Sequence, residues 1–152
     1  MWRKCCLVMS VLAACSPSGN KGFTNDPRET LKRYIEKSFS IKSVSERREL
    51  EDFLTGDAKA RLASWSPGQF EDAFLKSKKQ FSKLSFSDLK AVSPTEAHLT
   101  YDLSFDEESG GVRTKVTNKK ACQMTLRDGN WFIRECKNIK QLVEYTDELS
   151  IP

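Results

Sequence analysis

The sequence predicts an α+β fold: N-terminal helices packed on a four-stranded antiparallel sheet. Two observations carry this. Between residues 26 and 81 the apolar side chains recur at helical spacing, and beyond residue 84 they recur at alternate positions. The turn signals Ser93-Pro94 and Asp128-Gly129 then cut the second part into consecutive strands. Helices first and strands afterwards, without interleaving, is the order of an α+β domain.

The first helix opens at Asp26-Pro27-Arg28-Glu29, with an N-cap aspartate, proline at the first helical position and glutamate at the third. Leu31, Tyr34, Ile35, Ser38 and Phe39 continue it as one stripe. Ser43 or Ser45 opens a second helix that turns Leu50, Phe53 and Leu54 inward, and Gly56 interrupts it. Ala58 to Trp65 forms another short helix with Leu62 and Trp65 on its buried side. Ser66-Pro67 restarts the pattern, and Phe70, Ala73, Phe74, Ser77 and Phe81 share the face of a helix ending near Lys79. Lys76, Lys78, Lys79 and Lys83 form the one notable basic cluster, read first as a solvated helix end near the negative pole of the dipole and alternatively as a patch touching anionic lipid or polymer.

Leu84 to Val92 is a strand with ragged alternation, and Ser93 to Glu96 is a turn. Ala97, Leu99, Tyr101, Leu103 and Phe105 alternate with His98, Thr100, Asp102 and Ser104, the clearest strand in the chain. Asp106 to Gly111 reads as an acidic loop. Val112 to Arg127 is a long strand, bulged or bent near Asn118. Asp128-Gly129 is a hairpin turn, and Trp131 to Lys137 returns. Asn138 to Glu148 reads as a terminal helix carrying Ile139, Leu142, Val143 and Tyr145.

Ahead of the domain, Met1-Trp2-Arg3-Lys4 carries two positive charges, and ten uncharged residues follow. This is the pattern of a secretory signal. Ten residues of helix span about 15 Å, half of the roughly 30 Å hydrocarbon core, so the run is too short to span. Cleavage after Ala14 by an ordinary signal peptidase would place bulky Leu12 at the third position, and cleavage after Ser16 would leave Pro17 next to the cut. Leu12-Ala13-Ala14-Cys15 instead resembles the bacterial lipobox: a large aliphatic residue, two small ones, then cysteine. The resemblance implies a signal peptide over residues 1–14 and Cys15 as the acylated mature N-terminus. Two or three acyl chains give a durable anchor where one gives only marginal binding. Ser16, where an aspartate would signal retention at the inner membrane, implies the periplasmic side of the outer membrane. Residues 15–25 comprise the lipidated cysteine and a small, polar tether, and residues 26–152 form a single domain.

Of five cysteines, Cys5 and Cys6 leave with the signal and Cys15 carries lipid. Cys122 and Cys136 remain in the oxidising compartment that the lipobox implies, which favours a disulfide over two buried thiols. Two cysteines and the single histidine lack metal-ligand spacing, so no metal or other cofactor is expected. A three-residue hairpin loop would set Cys122 opposite Cys136, whereas a two-residue loop would offset them by one. A bridge therefore fixes the register and calls for a bulged turn.

Leu126-Arg127-Asp128-Gly129-Asn130-Trp131-Phe132-Ile133, after several helices and a strand meander, resembles the last hairpin of nuclear-transport-factor-2-like (cystatin-like) domains. That resemblance, covering about residues 26–137, implies a curved four-stranded sheet wrapped as a cone around the helices. Enzymes of this kind, such as ketosteroid-isomerase-like proteins, place acidic, tyrosine or histidine side chains inside the cone. Here His98 and Asp102 fall on the polar strand face, about 13 Å apart by strand rise, and do not form a dyad. Tyr34 and Tyr101 lie on apolar stripes and read as core residues. No phosphate loop, nucleophile elbow or paired-carboxylate motif is present. The net charge of +4 falls to +2 without Arg3 and Lys4, so no polyanion partner and no nucleic acid is implied. The expected protein is a non-catalytic envelope lipoprotein, held by membrane lipid through Cys15, with an envelope protein as possible partner. The alternative is a small-molecule-binding or enzymatic cone pocket.

Overall fold

The computed structural model describes residues 26–145. The expected signal peptide over residues 1–14, Cys15 and the expected tether lie outside the described residues, as do residues 146–152. Four helices precede four strands: α1 (Pro27–Ser40), α2 (Arg47–Glu51, entered through a 3-10 turn at Val44–Glu46), α3 (Gly56–Ser64), α4 (Pro67–Phe74), β1 (Lys78–Ser93), β2 (Glu96–Ser109), β3 (Val112–Arg127) and β4 (Asn130–Tyr145). The strands form one antiparallel meander in the order β1-β2-β3-β4. The fold is α+β. No helix among the described residues is long and apolar enough to cross a membrane.

The helix starts follow the expected chemistry. Asp26 caps α1 by accepting from the Arg28 backbone amide at 2.9 Å, and its carboxylate also holds the Arg28 guanidinium. Ser66 and Gln69 close a reciprocal capping box on α4. The helices pack as their stripes require, with Leu31, Ile35, Leu50, Leu62 and Phe70 buried against Leu99, Met124 and Ile133 of the sheet. α1 lies against both edge strands, β1 and β4. The loop after α2 is sewn to β4: the Thr55 amide donates to Ile133 O at 2.9 Å, and the Ile133 amide donates to Phe53 O at 2.9 Å. Gly56 then enters α3 at φ 55°, where a side chain would be strained. Arg47 ties α2 to α4, donating to Trp65 O at 2.8 Å and lying 5.1 Å over the Phe70 ring.

Three sequence expectations are corrected. The helix expected to end near Lys79 ends at Phe74, and β1 begins at Lys78 rather than Leu84. The ragged alternation has a cause: the ladder to β2 skips Ser82, Ser87 and Val92. Phe81, Leu84, Phe86, Leu89 and Ala91, spaced three, two, three and two apart, therefore all oppose the inward row of β2. The same spacing imitates a helix when read from Phe74 through Ser77 to Phe81. Asp106 to Ser109 extend β2, leaving only Gly110-Gly111 as the turn, both at positive φ. The expected terminal helix from Asn138 is strand as far as Tyr145. A bulge at Ile139 restores its ladder to β3, which offers unpaired backbone over residues 112–119.

Cys122 and Cys136 face each other in a disulfide, with Cα atoms 4.1 Å apart. The turn is the two-residue Asp128-Gly129, which alone would offset them. The missing residue is supplied by a bulge at Arg134 within β4, not by the turn.

Candidate functional site

Along β3, Val116, Asn118, Lys120, Cys122 and Met124 share the face turned toward the helices, because residues two apart in a strand point the same way. Lys120 and Asn118 are polar members of an otherwise apolar row. Lys120 is directly opposite Tyr101 on β2 and Asn138 on β4. Above this row lies a cavity of about 270 Å³ between helices and sheet. Tyr34 of α1, Ala58, Arg61 and Trp65 of the α3 region, Phe74 of α4, and Tyr101 and Lys120 of the sheet line it. A second cavity of about 230 Å³ adjoins it, sharing Phe74 and Lys120 and adding Ser38, Lys79 and Asn118. The linings of both contain cations and no carboxylate.

The electrostatics follow from burial. Tyr101 is buried, and dehydration pushes its phenol well above the usual tyrosine range, with the nearby Tyr34 adding to it. Its hydroxyl lies 3.8 Å from Cys122 Sγ, an acceptor in the disulfide. Burial likewise raises Tyr34. Lys120 moves the other way: dehydration, and then the charge of Lys79, favour its neutral form. Lys79 itself is engaged, donating to Ala73 O at 2.8 Å and facing Glu107 at 3.8 Å. This arrangement can bind. It holds two phenols that stay protonated, one under-solvated ammonium and a wall of aromatic carbon.

Tyr34 and Tyr101, read as core residues in the sequence, are both core and cavity wall. His98 and Asp102 lie apart on the opposite face, with His98 exposed between Lys90 and Gln123. The basic cluster is dispersed: Lys76 pairs with Asp72 on α4, while Lys78, Lys79 and Lys83 belong to β1. Lys120 and Asn118 were missed by sequence reasoning, although extending the Cys122–Met124 face back by one and two steps would have found them. A further concavity of about 490 Å³ is an open groove beside Arg33, Lys37 and Asp52. Its charges largely satisfy one another: Lys37 pairs with Glu46 at 3.2 Å and Glu49 at 2.6 Å, and Arg33 covers the Phe53 ring. No cluster of three or more metal-ligating side chains occurs among the described residues.

No protein-family model matches the chain, and no curated protein does. Among solved structures, the chain is similar to the intermembrane space region of chloroplast protein ARC6. The TM-score is 0.56 at 16% identity, over 75% of this chain and 96% of that one. At that identity the likeness is one of fold.

Proposed function

We propose that this is an envelope lipoprotein, acylated at Cys15, whose domain is a nuclear-transport-factor-2-like cone that binds a small molecule without transforming it. The cone reading draws on α1 lying against both edge strands, as a helix does when a sheet curls around it. The binding reading is carried by the 270 Å³ cavity, where Leu54, Trp65, Phe74 and Ile133 meet the polar groups of Tyr34, Arg61, Tyr101 and Lys120. At roughly 30 Å³ per water-sized atom it accommodates about nine non-hydrogen atoms. The anchor reading rests on Leu12-Ala13-Ala14-Cys15.

Each part has its own test. Cys15→Ala should move the protein from the membrane fraction to the soluble one, and retention in the membrane would remove the anchor. Octanol, which matches the cavity in size, should bind saturably and change the emission of Trp65. Ala58→Phe, which fills the cavity, should abolish that binding while the fold is retained. Octanol binding unaltered by Ala58→Phe would place the ligand elsewhere.

A protein partner is the second reading, favoured by the edge strand β4. Ile139, Leu142, Val143 and Tyr145 are exposed there. An antiparallel second copy centred on Leu142 would set Lys140 opposite Glu144 twice. Sedimentation equilibrium should then report a dimer that Leu142→Glu dissociates, and a monomer at all concentrations would dismiss it.

A further inference from the structure

The cavity's polar wall specifies the charge of what it takes. Lys120 forms no ion pair among the described residues, and its neighbours across the ladder, Tyr101 and Asn138, are not acidic. An ammonium withdrawn from water without a counter-ion is a standing cost that an incoming anion relieves. Arg61, also without an ion pair among the described residues, stands exposed at the same cavity, and Lys79 stands on the adjoining one. Neither lining contains a carboxylate, and of these three cations only Lys79 has an acidic partner among the described residues, Glu107 at 3.8 Å.

Asn118 supplies an independent observation. It is more than nine-tenths buried, it lines the adjoining cavity beside Lys120, and its Oδ1 has no hydrogen-bond partner among the described residues. A buried acceptor left open this way forfeits its hydration, and a donor brought by a ligand restores it. Asn118 and Lys120 are two residues apart on one strand face, so their backbones are separated by about 7 Å. One small polar head can reach both.

We infer that the two joined cavities form a single site for a small hydroxylated apolar acid, its carboxylate on Lys120, its hydroxyl donating to Asn118 Oδ1, and its apolar body among Tyr34, Trp65 and Phe74. This rests on the cavity reading above and names the class of molecule the cavity selects. The lowered proton affinity of Lys120 agrees with it, since an anion beside the ammonium would reverse that shift. A charge-assisted hydrogen bond distinguishes the acid from an alcohol of equal length.

The full chain carrying Cys15→Ala, which dispenses with detergent, is titrated with 3-hydroxyoctanoate, octanoate, octanol and octylamine, followed by tryptophan emission and calorimetry. Octanoate should bind about tenfold more tightly than octanol, the hydroxy acid several-fold more tightly again, and octylamine not at all. Lys120→Met and Lys120→Gln should each reduce octanoate to the level of octanol, and Asn118→Leu should erase the advantage of the hydroxy acid. Octanol binding as well as octanoate, or octanoate binding unchanged in both Lys120 variants, overturns the acid site while leaving the cavity reading in place. Equal binding of the two acids overturns the role of Asn118. Failure of every probe, octanol included, overturns the cavity reading and the acid site together.

Discussion

The two ends of β4 carry the same kind of side chain and meet opposite fates. Near the Asp128-Gly129 turn, Trp131 and Ile133 are buried, Ile133 to 1% exposure, beneath α3 and the Phe53–Thr55 segment. Beyond the bulge at Ile139, Val143 is 41% exposed and Tyr145 75% exposed. Both ends are fully laddered to β3, so backbone hydrogen bonding does not separate them. What separates them is the helix layer, which ends where Phe39 packs on Phe81 and Phe105. A strand is therefore specified by its neighbour's free edge, while its contribution to stability is specified by what lies over it. Apolar burial is worth about 25 cal/mol per Å², and the outer half of β4 buries little of that area.

The sharpest way to break this comparison is to delete the same kind of carbon at both ends. Ile133→Ala removes a fully buried side chain from the centre of the core and should cost about 4 kcal/mol. Val143→Ala should cost under about 1 kcal/mol, because water already reaches it. Urea denaturation of the two variants gives the difference, and similar midpoints would show that the outer half is covered in solution. The Cys122–Cys136 bridge, 14 residues apart in sequence, lies between the two ends. Replacing both cysteines with alanine should lower stability by about 3 kcal/mol in the chain-entropy picture. Hydrogen exchange should then show the outer β4 amides opening first, since the bridge pins them to the covered half. Uniform loss of protection along β4 would argue against that division.

The same comparison explains what could be read from the sequence. The helix starts at Asp26 and Ser66, the strands Ala97–Phe105 and Val112–Arg127, and the cysteine pair were legible, because capping chemistry, alternation and cysteine count are local or compositional signals. The terminal strand was not, because Ile139, Leu142 and Val143 at spacings of three and one are helical by period. Their strand state depends on residues 112–119 offering an open edge, a fact stored elsewhere in the chain. The start of β1 failed for the same reason, as its three bulges disguise a period of two. Lys120 was overlooked for a different cause: beside Lys115 and Lys119 it reads as surface, although alternation back from Cys122 puts it on the inward face, where the register sets it opposite Tyr101. Tyr34 and Tyr101 were legible as core, but their joint wall was not, since a cavity is a property of what the helices leave unfilled.

Lys120 sits on the seam between the covered and bare halves, and its titration is the finest probe of where that seam runs. Burial first, and Lys79 second, lower its proton affinity in the folded chain. The folded state therefore disfavours an ammonium that the unfolded chain holds freely. That penalty is fully present below the folded pKa and disappears as pH rises toward the ordinary lysine value, because the folded protein releases its proton first. Lys120→Met, similar in length and uncharged, should accordingly raise stability at pH 7 by about 1 kcal/mol. Its advantage over the wild type should narrow as pH is raised toward about 10.5, the unperturbed lysine range. Thermal unfolding of the two proteins between neutral pH and that value measures the trend. A constant difference across the range would mean that the Lys120 ammonium is hydrated, and that the bare half of the sheet reaches the row that Lys120 shares with Tyr101.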